Sequence, residues 1–128
     1  MKLRARINEL KKAVDVDQVT IYEGIWGEMS VEYYVYKERF DVTPFLKGLP
    51  NDLDPSPHWG IIMKGEITIK YDGKEEKAKA GDVYYAPPGH TVIAEAGTEF
   101  WEFSPKDLLQ KTNEVVTRNM QAMMPKQQ

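Results

Sequence analysis

The sequence predicts a mainly β protein, in which one antiparallel barrel or sandwich is flanked by a short N-terminal helix and a C-terminal helix. Short segments of alternating apolar and polar residues recur between residues 18 and 103, and this alternation is typical of strands with one buried face. Asp72-Gly73 is typical of a tight hairpin turn. Three more glycines mark turns at intervals of eight residues: Gly81, Gly89 and Gly97. Regular short strands with such turns predict a barrel or a sandwich.

Both ends of the chain carry helical patterns. The segment 3–14 has apolar residues at helical spacings, at Leu3, Ile7, Leu10 and Val14, and this period predicts a short amphipathic helix. Near the other end, Ser104 and Pro105 have the pattern of an N-cap followed by the first helical position. An apolar stripe continues beyond them. We therefore predict a second helix over residues 105–123, packed outside the barrel.

Length and composition limit the organisation and the partners. The 128 residues are enough for one compact domain, taken as 1–128, with the barrel over about 18–103. The 17 basic and 20 acidic residues give a net charge of −3, so a nucleic-acid partner is not expected. The chain has no cysteine, which excludes disulfides and thiolate metal sites. No apolar stretch is long enough for a membrane span, and a soluble, cytoplasmic protein is expected.

Two stretches of the sequence resemble the two motifs of the cupin superfamily. Gly65, followed by an alternating strand and the hairpin at 72–73, is similar to the end of the first motif. The stretch GDVYYAPPG at 81–89 is similar to the opening of the second. The resemblance covers roughly residues 29–103 and implies a single-domain cupin, a small antiparallel jelly-roll barrel. Cupins often hold a metal ion inside the barrel, bound by two histidines and a glutamate from motif one and a histidine from motif two.

The sequence departs from that family pattern at the metal ligands. By the family spacing, His58 stands where a glutamate is usual, and the two usual histidine positions of motif one fall near Asp52 and Asp54. The histidine of motif two is expected at Val92, whereas this chain has His90. Because side chains alternate along a strand, positions 90 and 92 share one face. His90 is therefore still expected to point into the barrel.

In a cupin barrel, His58 and His90 would come from neighbouring strands and converge. Two neutral imidazoles with one or two carboxylates would suit zinc, iron(II), manganese or nickel. The candidate carboxylates are Asp52, Asp54 and Glu95. The two aspartates lie in a long loop, which four prolines predict over residues 44–57. Glu95 is a less favoured candidate, because its odd-numbered position puts it on the opposite face of the strand from His90. The alternative is a pair of histidines bonded to backbone or water, with no metal.

Two functions from different classes remain open. The first is a metal-dependent enzyme, an oxygenase, isomerase or lyase, in which a metal on His58 and His90 polarises a small oxygenated substrate. The second is a non-catalytic cupin that binds or senses a small molecule, with the same histidines as hydrogen-bond donors. In both, alternation puts Tyr34 and Tyr36 on one face as candidates to line an aromatic pocket, and Tyr33 on the other.

The strand HWGIIMKG also predicts an assembly. Its odd-numbered face carries Trp59, Ile61 and Met63 beside an inward even-numbered set, a pattern typical of a strand covered on both faces. We predict a homodimer with this outer face in the interface, or else a terminal helix that covers the face.

Overall fold

The computed structural model describes residues 2–124 as ten antiparallel strands and one α-helix. The elements are β1 (Lys11–Asp15), β2 (Val19–Trp26), β3 (Met29–Tyr36), β4 (Phe40–Asp41), β5 (His58–Lys64), β6 (Glu66–Tyr71), β7 (Lys74–Lys79), β8 (Val83–Ala86), β9 (His90–Ala94), β10 (Glu99–Pro105) and α1 (Lys106–Met123). Two sheets result, with the strand orders β1-β2-β3-β10-β5-β8 and β4-β9-β6-β7. Both sheets contribute to one apolar core. The predicted mainly β jelly-roll architecture with a C-terminal helix is confirmed.

Alternation along the strands decides which side chains enter the interior. In β5, His58, Gly60 and Ile62 are buried, whereas the residues between them are exposed. The strand β10 alternates in the same way. Asp72 and Gly73 join β6 to β7 with positive φ angles of 52° and 72°, as a tight primed hairpin turn requires.

The predicted N-terminal helix over residues 3–14 is wrong. Ile7–Glu9 forms a single 3-10 turn, and Lys11–Asp15 pairs with β2 as strand β1. A short isolated helix is marginal in water, whereas the edge of β2 supplies partners for the backbone of this segment. The register shifts between Lys12 and Val14, and Val14 reaches the barrel interior.

The C-terminal helix begins one residue later than predicted and without the predicted cap. Pro105 ends β10 and lies at the N-cap position, and Lys106 begins α1. Ser104 makes no capping hydrogen bond, because its hydroxyl lies 2.6 Å from the Nδ1 atom of His58 in the interior. The serine of the apparent cap is therefore part of the barrel's inner face.

Helix α1 covers one end of the barrel. Leu109 and Thr112 are its buried residues. Asn119 donates hydrogen bonds to the carbonyl oxygens of Phe45 and Lys47, at 2.8 Å each, and these bonds tie the helix to the long loop. Within residues 2–124, no helix combines the length and the hydropathy that a membrane span needs.

The outer face of β5 and β8 is uncovered in the single chain. Five apolar side chains there are between 38% and 76% exposed: Trp59, Ile61, Met63, Val83 and Tyr85. Helix α1 packs against the 3-10 turn Thr43–Leu46 instead. The alternative prediction, that a terminal helix covers this face, is therefore wrong.

Candidate metal centre

A cavity of about 290 Å³ lies inside the barrel, beneath α1. Most of its wall is apolar, and aromatic rings form one side of it, at Tyr34, Tyr36, Phe40, Phe45 and Phe100. The rings of Tyr34 and Phe100 stack with centroids 4.7 Å apart. The wall also contains one cluster of polar side chains, at Glu32, Asp54, His58, Tyr84, His90 and Glu102. The cavity thus offers an apolar surface next to a site with chemically active groups.

Asp54, His58 and His90 form the centre of this polar cluster. The Nε2 atom of His58 lies 2.9 Å from Asp54 Oδ2, and the Nε2 atom of His90 lies 3.5 Å from the same oxygen. The two imidazole rings are 4.9 Å apart and inclined at 80°. All three residues are buried, and one ligand atom from each lies within 4.8 Å of the others. This group could hold a metal ion.

Backbone hydrogen bonds bring the three residues together. His58 begins β5 and His90 begins β9, while Asp54 lies in the loop before β5. The Asp54 amide donates to the His90 carbonyl at 2.9 Å, and the Gly89 amide donates to the Asp54 carbonyl at 2.7 Å. Gly89 has a φ of 91°, in the region that favours glycine. The loop is thus held against the start of β9.

The hydrogen bonds of His90 show which of its nitrogens carries the proton. Its Nδ1 atom lies 2.7 Å from the Pro87 carbonyl oxygen, which can only accept, so Nδ1 carries the hydrogen. Burial and the neighbouring charge of His58 lower the pKa of His90, which favours the neutral ring. Nε2 then holds a lone pair, and this nitrogen faces the Asp54 carboxylate. A metal ion at this place would bridge the two acceptors and displace the proton that His58 Nε2 shares with Asp54 Oδ2 at 2.9 Å.

His58 has hydrogen-bonding partners at both ring nitrogens. Its Nδ1 atom lies 2.6 Å from Ser104 Oγ and 3.0 Å from Glu102 Oε1. A carboxylate on the far nitrogen is the usual second partner of a metal-bound imidazole, because it orients the ring and raises its basicity. Burial alone would lower the pKa of His58, but Glu102 and Asp54 outweigh it and raise the pKa to about 9.

Asp54 is held at its other oxygen. Oδ1 accepts hydrogen bonds from the Ser56 amide at 2.8 Å and from Thr112 Oγ1 of α1 at 3.2 Å. Burial raises the pKa of Asp54, but the hydrogen bond and the charge of His58 outweigh it and hold the pKa below its usual value. The carboxylate is therefore ionised, with Oδ2 directed at the two histidines.

Two of the three ligand separations in this group, those from Asp54 Oδ2 to the two histidines, suit a divalent first-row metal ion. Adjacent ligand atoms of a four- or six-coordinate ion, with bonds near 2.1 Å, lie about 3.0–3.4 Å apart. The distances from Asp54 Oδ2 to His58 and His90 are 2.9 and 3.5 Å. Two histidines with one carboxylate also form the ligand set of open facial sites. Zinc, iron(II), manganese and nickel accept these donors.

Of the other predicted carboxylates, neither lies in this group. Asp52 is exposed, and its Oδ1 accepts a hydrogen bond from the Gly48 amide at 3.0 Å. Glu95 pairs with Arg39 at the surface, at 3.3 Å. Asp52 has a positive φ of 56° and lies in an irregular loop. Side chains two residues apart share a face only in a strand, so the side chain of Asp52 need not point the same way as that of Asp54.

The structure places the predicted tyrosines on opposite sides of β3. Tyr34 and Tyr36 line the cavity. Tyr33 packs edge-on against Trp101, with ring centroids 4.7 Å apart, and donates to Glu99. Tyr34 and Tyr36 are therefore available to contact a bound molecule.

Glu32, Glu102 and Ser104 were not among the site residues predicted from the sequence. Glu32 has the same parity as the cavity-lining Tyr34, and Glu102 has the parity of the buried Phe100. A charged residue at an inward position of a strand is unusual, and it is the signal by which both glutamates could have been found.

Comparison with known proteins agrees with this fold. A family model described as a cupin domain matches residues 47–99, which include the three residues of the candidate metal centre. A search of curated proteins gives no match. At the identities below, similarity to solved structures shows the fold alone.

Three solved structures illustrate the similarity. An RmlC-like cupin from Shewanella frigidimarina has a TM-score of 0.60 at 13% identity, over 82% of this chain and 92% of that one. A protein of unknown function from Rhizobium leguminosarum has a TM-score of 0.59 at 22% identity, over 81% and 97%. The polyketide cyclase RemF from Streptomyces resistomycificus has a TM-score of 0.59 at 11% identity, over 83% and 80%.

Fold and site together define a jelly-roll protein whose interior carries a buried histidine–aspartate group. The family match over residues 47–99 and the solved structures agree on the fold, which is that of a small cupin domain. The resemblance seen in the sequence is confirmed.

Proposed function

We propose that this protein is an enzyme that binds one divalent metal ion through Asp54, His58 and His90. Its substrate is a small, largely apolar molecule held in the adjoining cavity. The observation that carries the proposal is the arrangement at His90, where Nε2, with its lone pair, faces the Asp54 carboxylate at 3.5 Å. A cation between them would satisfy both groups. RemF, an enzyme with a similar fold, supports catalysis on this scaffold.

The chain's own residues prepare the site for such an ion. Glu102 and Ser104 hold the Nδ1 side of His58, and Thr112 holds the outer oxygen of Asp54. The aromatic wall excludes water and orients an apolar substrate. When bound, the ion supplies a Lewis acid that polarises an oxygen of the substrate. Oxygenase, isomerase and lyase are the enzyme classes that we propose for such a site.

Isothermal titration calorimetry of chelator-treated protein tests metal binding, with Zn²⁺, Mn²⁺ and Ni²⁺ as titrants and with Fe²⁺ in the absence of oxygen. We expect one equivalent to bind to the native protein. Asp54→Asn should bind at least tenfold more weakly, because removal of a ligand charge weakens the site. Asp52→Asn is the matched control from the same loop and should bind as the native protein does. Equal affinity of the two variants, or no binding to the native protein, would contradict the proposal.

The covered cavity favours a second function, non-catalytic binding or sensing of a small molecule. Leu109, Val116 and Met120 of α1 lie in the cavity wall, so a bound molecule would be largely enclosed. Native mass spectrometry of the purified protein distinguishes the two functions. A stoichiometric organic molecule, released unchanged from metal-free protein, would favour binding alone. A metal ion retained at one equivalent favours the enzyme.

We further propose that the protein is a homodimer through the outer face of β5 and β8. Trp59 and Tyr85 stack there, 5.3 Å apart, beside the edge strand β8. A contiguous exposed apolar patch next to a free strand edge is rare on a monomer. Sedimentation should show a dimer that Ile61→Lys dissociates, whereas Ile25→Lys, at an exposed site on β2, should not. A native monomer at micromolar concentration would refute the proposed dimer.

The cytoplasmic location expected from the sequence also stays a prediction.

A further inference from the structure

The hydrogen bonds of the two buried glutamates distinguish their roles. Both oxygens of Glu102 have partners, because Oε1 lies 3.0 Å from His58 Nδ1 and Oε2 accepts from the Tyr84 hydroxyl at 2.8 Å. Glu32 accepts from the Tyr34 hydroxyl at Oε1, also at 2.8 Å. Within residues 2–124, no hydrogen bond reaches Glu32 Oε2. Glu32 is only 2% exposed to solvent and lines the cavity, so this oxygen is available to a molecule inside.

The same two glutamates lie directly opposite each other. Glu32 of β3 is the register partner of Glu102 on β10 and of Glu23 on β2. Opposite residues have Cβ atoms about 4.5–5.5 Å apart, so the two buried carboxyl groups are neighbours, and the charge of Glu102 disfavours ionisation of Glu32. One of them therefore retains a proton at neutral pH.

The distribution of donors favours Glu32 as the protonated member. His58 and Tyr84 both stabilise the Glu102 anion and oppose the increase in its pKa that burial causes. Glu32 accepts a hydrogen bond from one donor, the Tyr34 hydroxyl. The carboxyl group of Glu32 also lies near the negative charges of Glu102 and Glu23. Burial and then Glu102 raise the pKa of Glu32 to about 8, although Tyr34 and the charge of His58 act against this.

A protonated Glu32 is a hydrogen-bond donor inside the polar cluster. The hydroxyl groups of Tyr34 and Tyr84 already donate to the glutamates, so the Oε2 hydrogen of Glu32 is the one left free beside them. No lysine or arginine lies among the described residues of the cavity wall. His58, with its pKa raised to about 9, adds a positive charge to the wall, but both of its ring nitrogens already face carboxylates, Asp54 and Glu102. Among the described residues of the wall, an anionic ligand therefore has no free cationic side chain to pair with, whereas a neutral acceptor oxygen has the Glu32 donor.

We propose that Glu32, as a neutral carboxylic acid, donates a hydrogen bond to the carbonyl oxygen of a neutral, ring-bearing molecule in this cavity. The rings of Tyr36, Phe40 and Phe100 provide the surface for the apolar part of that molecule. As an assignment of substrate class, this inference rests on the proposed function. The binding interaction itself does not require the metal.

Three probes separate the contributions to binding. The first is 2-acetonaphthone, a neutral aromatic ketone, the second is 2-ethylnaphthalene, which lacks the oxygen, and the third is the anion 2-naphthoate. We expect the native protein at pH 6.5 to bind the ketone about tenfold more tightly than the hydrocarbon, as one buried hydrogen bond provides. Binding of 2-naphthoate should be weaker than binding of the ketone. Equal affinities for the ketone and the hydrocarbon would overturn the proposal.

Variants at Glu32 assign the effect to this residue. Glu32→Met should lose the preference for the ketone, whereas Glu32→Gln retains an N–H donor and should keep it. Raising the pH through about 8 should weaken ketone binding to the native protein but not to Glu32→Gln. If Glu32→Met does not fold, the pH comparison between the native protein and Glu32→Gln decides the assignment.

The matched control is Glu99→Gln, which removes the charge from the tyrosine–glutamate pair on the outer face of the same strands and should change nothing. A preference for the ketone that survives in Glu32→Met would refute the assignment.

Metal titration separates this inference from the proposed function. Glu32→Met should still bind metal, because Asp54, His58 and His90 remain. A protein that binds no metal but distinguishes ketone from hydrocarbon through Glu32 would contradict the enzyme and support this inference. A protein that binds metal but does not distinguish the ketone from the hydrocarbon would support the metal-binding enzyme and contradict this inference.

Discussion

The substitution Gly60→Ala tests how the inner face of the larger sheet is packed. Gly60 lies between Glu102 and Tyr84 in the strand register, and the Tyr84 ring crosses over it to reach Glu102. A Cβ atom at this position would lie 2.5 Å from the backbone oxygen of Trp101 and would also overlap the Tyr84 ring. The backbone oxygen cannot rotate away as a side chain can, so the strand or the ring must move.

The cost follows from two effects. Overpacking of a core position destabilises by about 1–3 kcal/mol. If the Tyr84 ring shifts, Glu102 Oε2 loses its hydrogen bond, which costs a further 1–3 kcal/mol or so. We expect a total of about 2–6 kcal/mol. With an unfolding entropy of about 2.1 cal/mol/K per residue, a chain of 128 residues loses about 4 °C of Tm for each kcal/mol, so the expected decrease is about 8–24 °C.

Urea and thermal unfolding, followed by circular dichroism, measure this cost. Gly24→Ala is the matched control, because Gly24 is also a strand glycine and its new Cβ would meet only side-chain atoms of Trp26 and Leu10. These can rotate, so we expect less than about 1 kcal/mol. A Gly60→Ala variant no less stable than Gly24→Ala would refute the packing described for Tyr84.

Three further predictions concern the site and its surroundings. Thr112→Val should weaken metal binding about tenfold by calorimetry, because Thr112 holds Asp54; unchanged affinity would contradict this role. Ser56→Ala should raise the free energy of unfolding in urea by up to about 1 kcal/mol, because the buried Ser56 hydroxyl has no partner among the described residues, and a clear loss would show a partner. In the folded protein the pKa of Glu32 is raised from 4.5 to about 8, so the folded state binds this proton more tightly than the unfolded chain does. Proton binding at Glu32 therefore stabilises the fold fully below about pH 4.5, and this stabilisation is lost as the pH rises to about 8. The pH dependence of urea unfolding should therefore be flatter in Glu32→Gln over this range, and identical profiles would be evidence against the protonated acid.

The strand pattern allowed much of the barrel to be predicted, because period-two alternation is a local property of the sequence. The buried face of β5, which carries His58, follows from it. The N-terminal segment could not be assigned in the same way. Its helical spacing over residues 3–14 is real, but pairing with β2 decides its structure, and that pairing depends on residues distant in the sequence.

Strand alternation predicts the direction of the histidines of the candidate metal centre, whereas the family spacing named Asp52 and Asp54 together and did not distinguish them. His90 follows from alternation, whereas Asp54 and Asp52 lie in an irregular loop, where sequence spacing does not determine direction. The hydrogen bonds to the start of β9 bring Asp54 into the centre. Ser104 was assigned to a helix cap because the local pattern Ser-Pro-Lys-Asp fits one, although its inward position on β10 directs it to His58.

The central claim is that Asp54, His58 and His90 bind a metal ion inside the barrel. Its most direct test is an anomalous difference map from crystals grown with Zn²⁺, recorded on both sides of the zinc absorption edge. We predict one peak, about 2.0–2.2 Å from His58 Nε2, His90 Nε2 and Asp54 Oδ2. A map with no peak at these three atoms at saturating zinc would contradict the account.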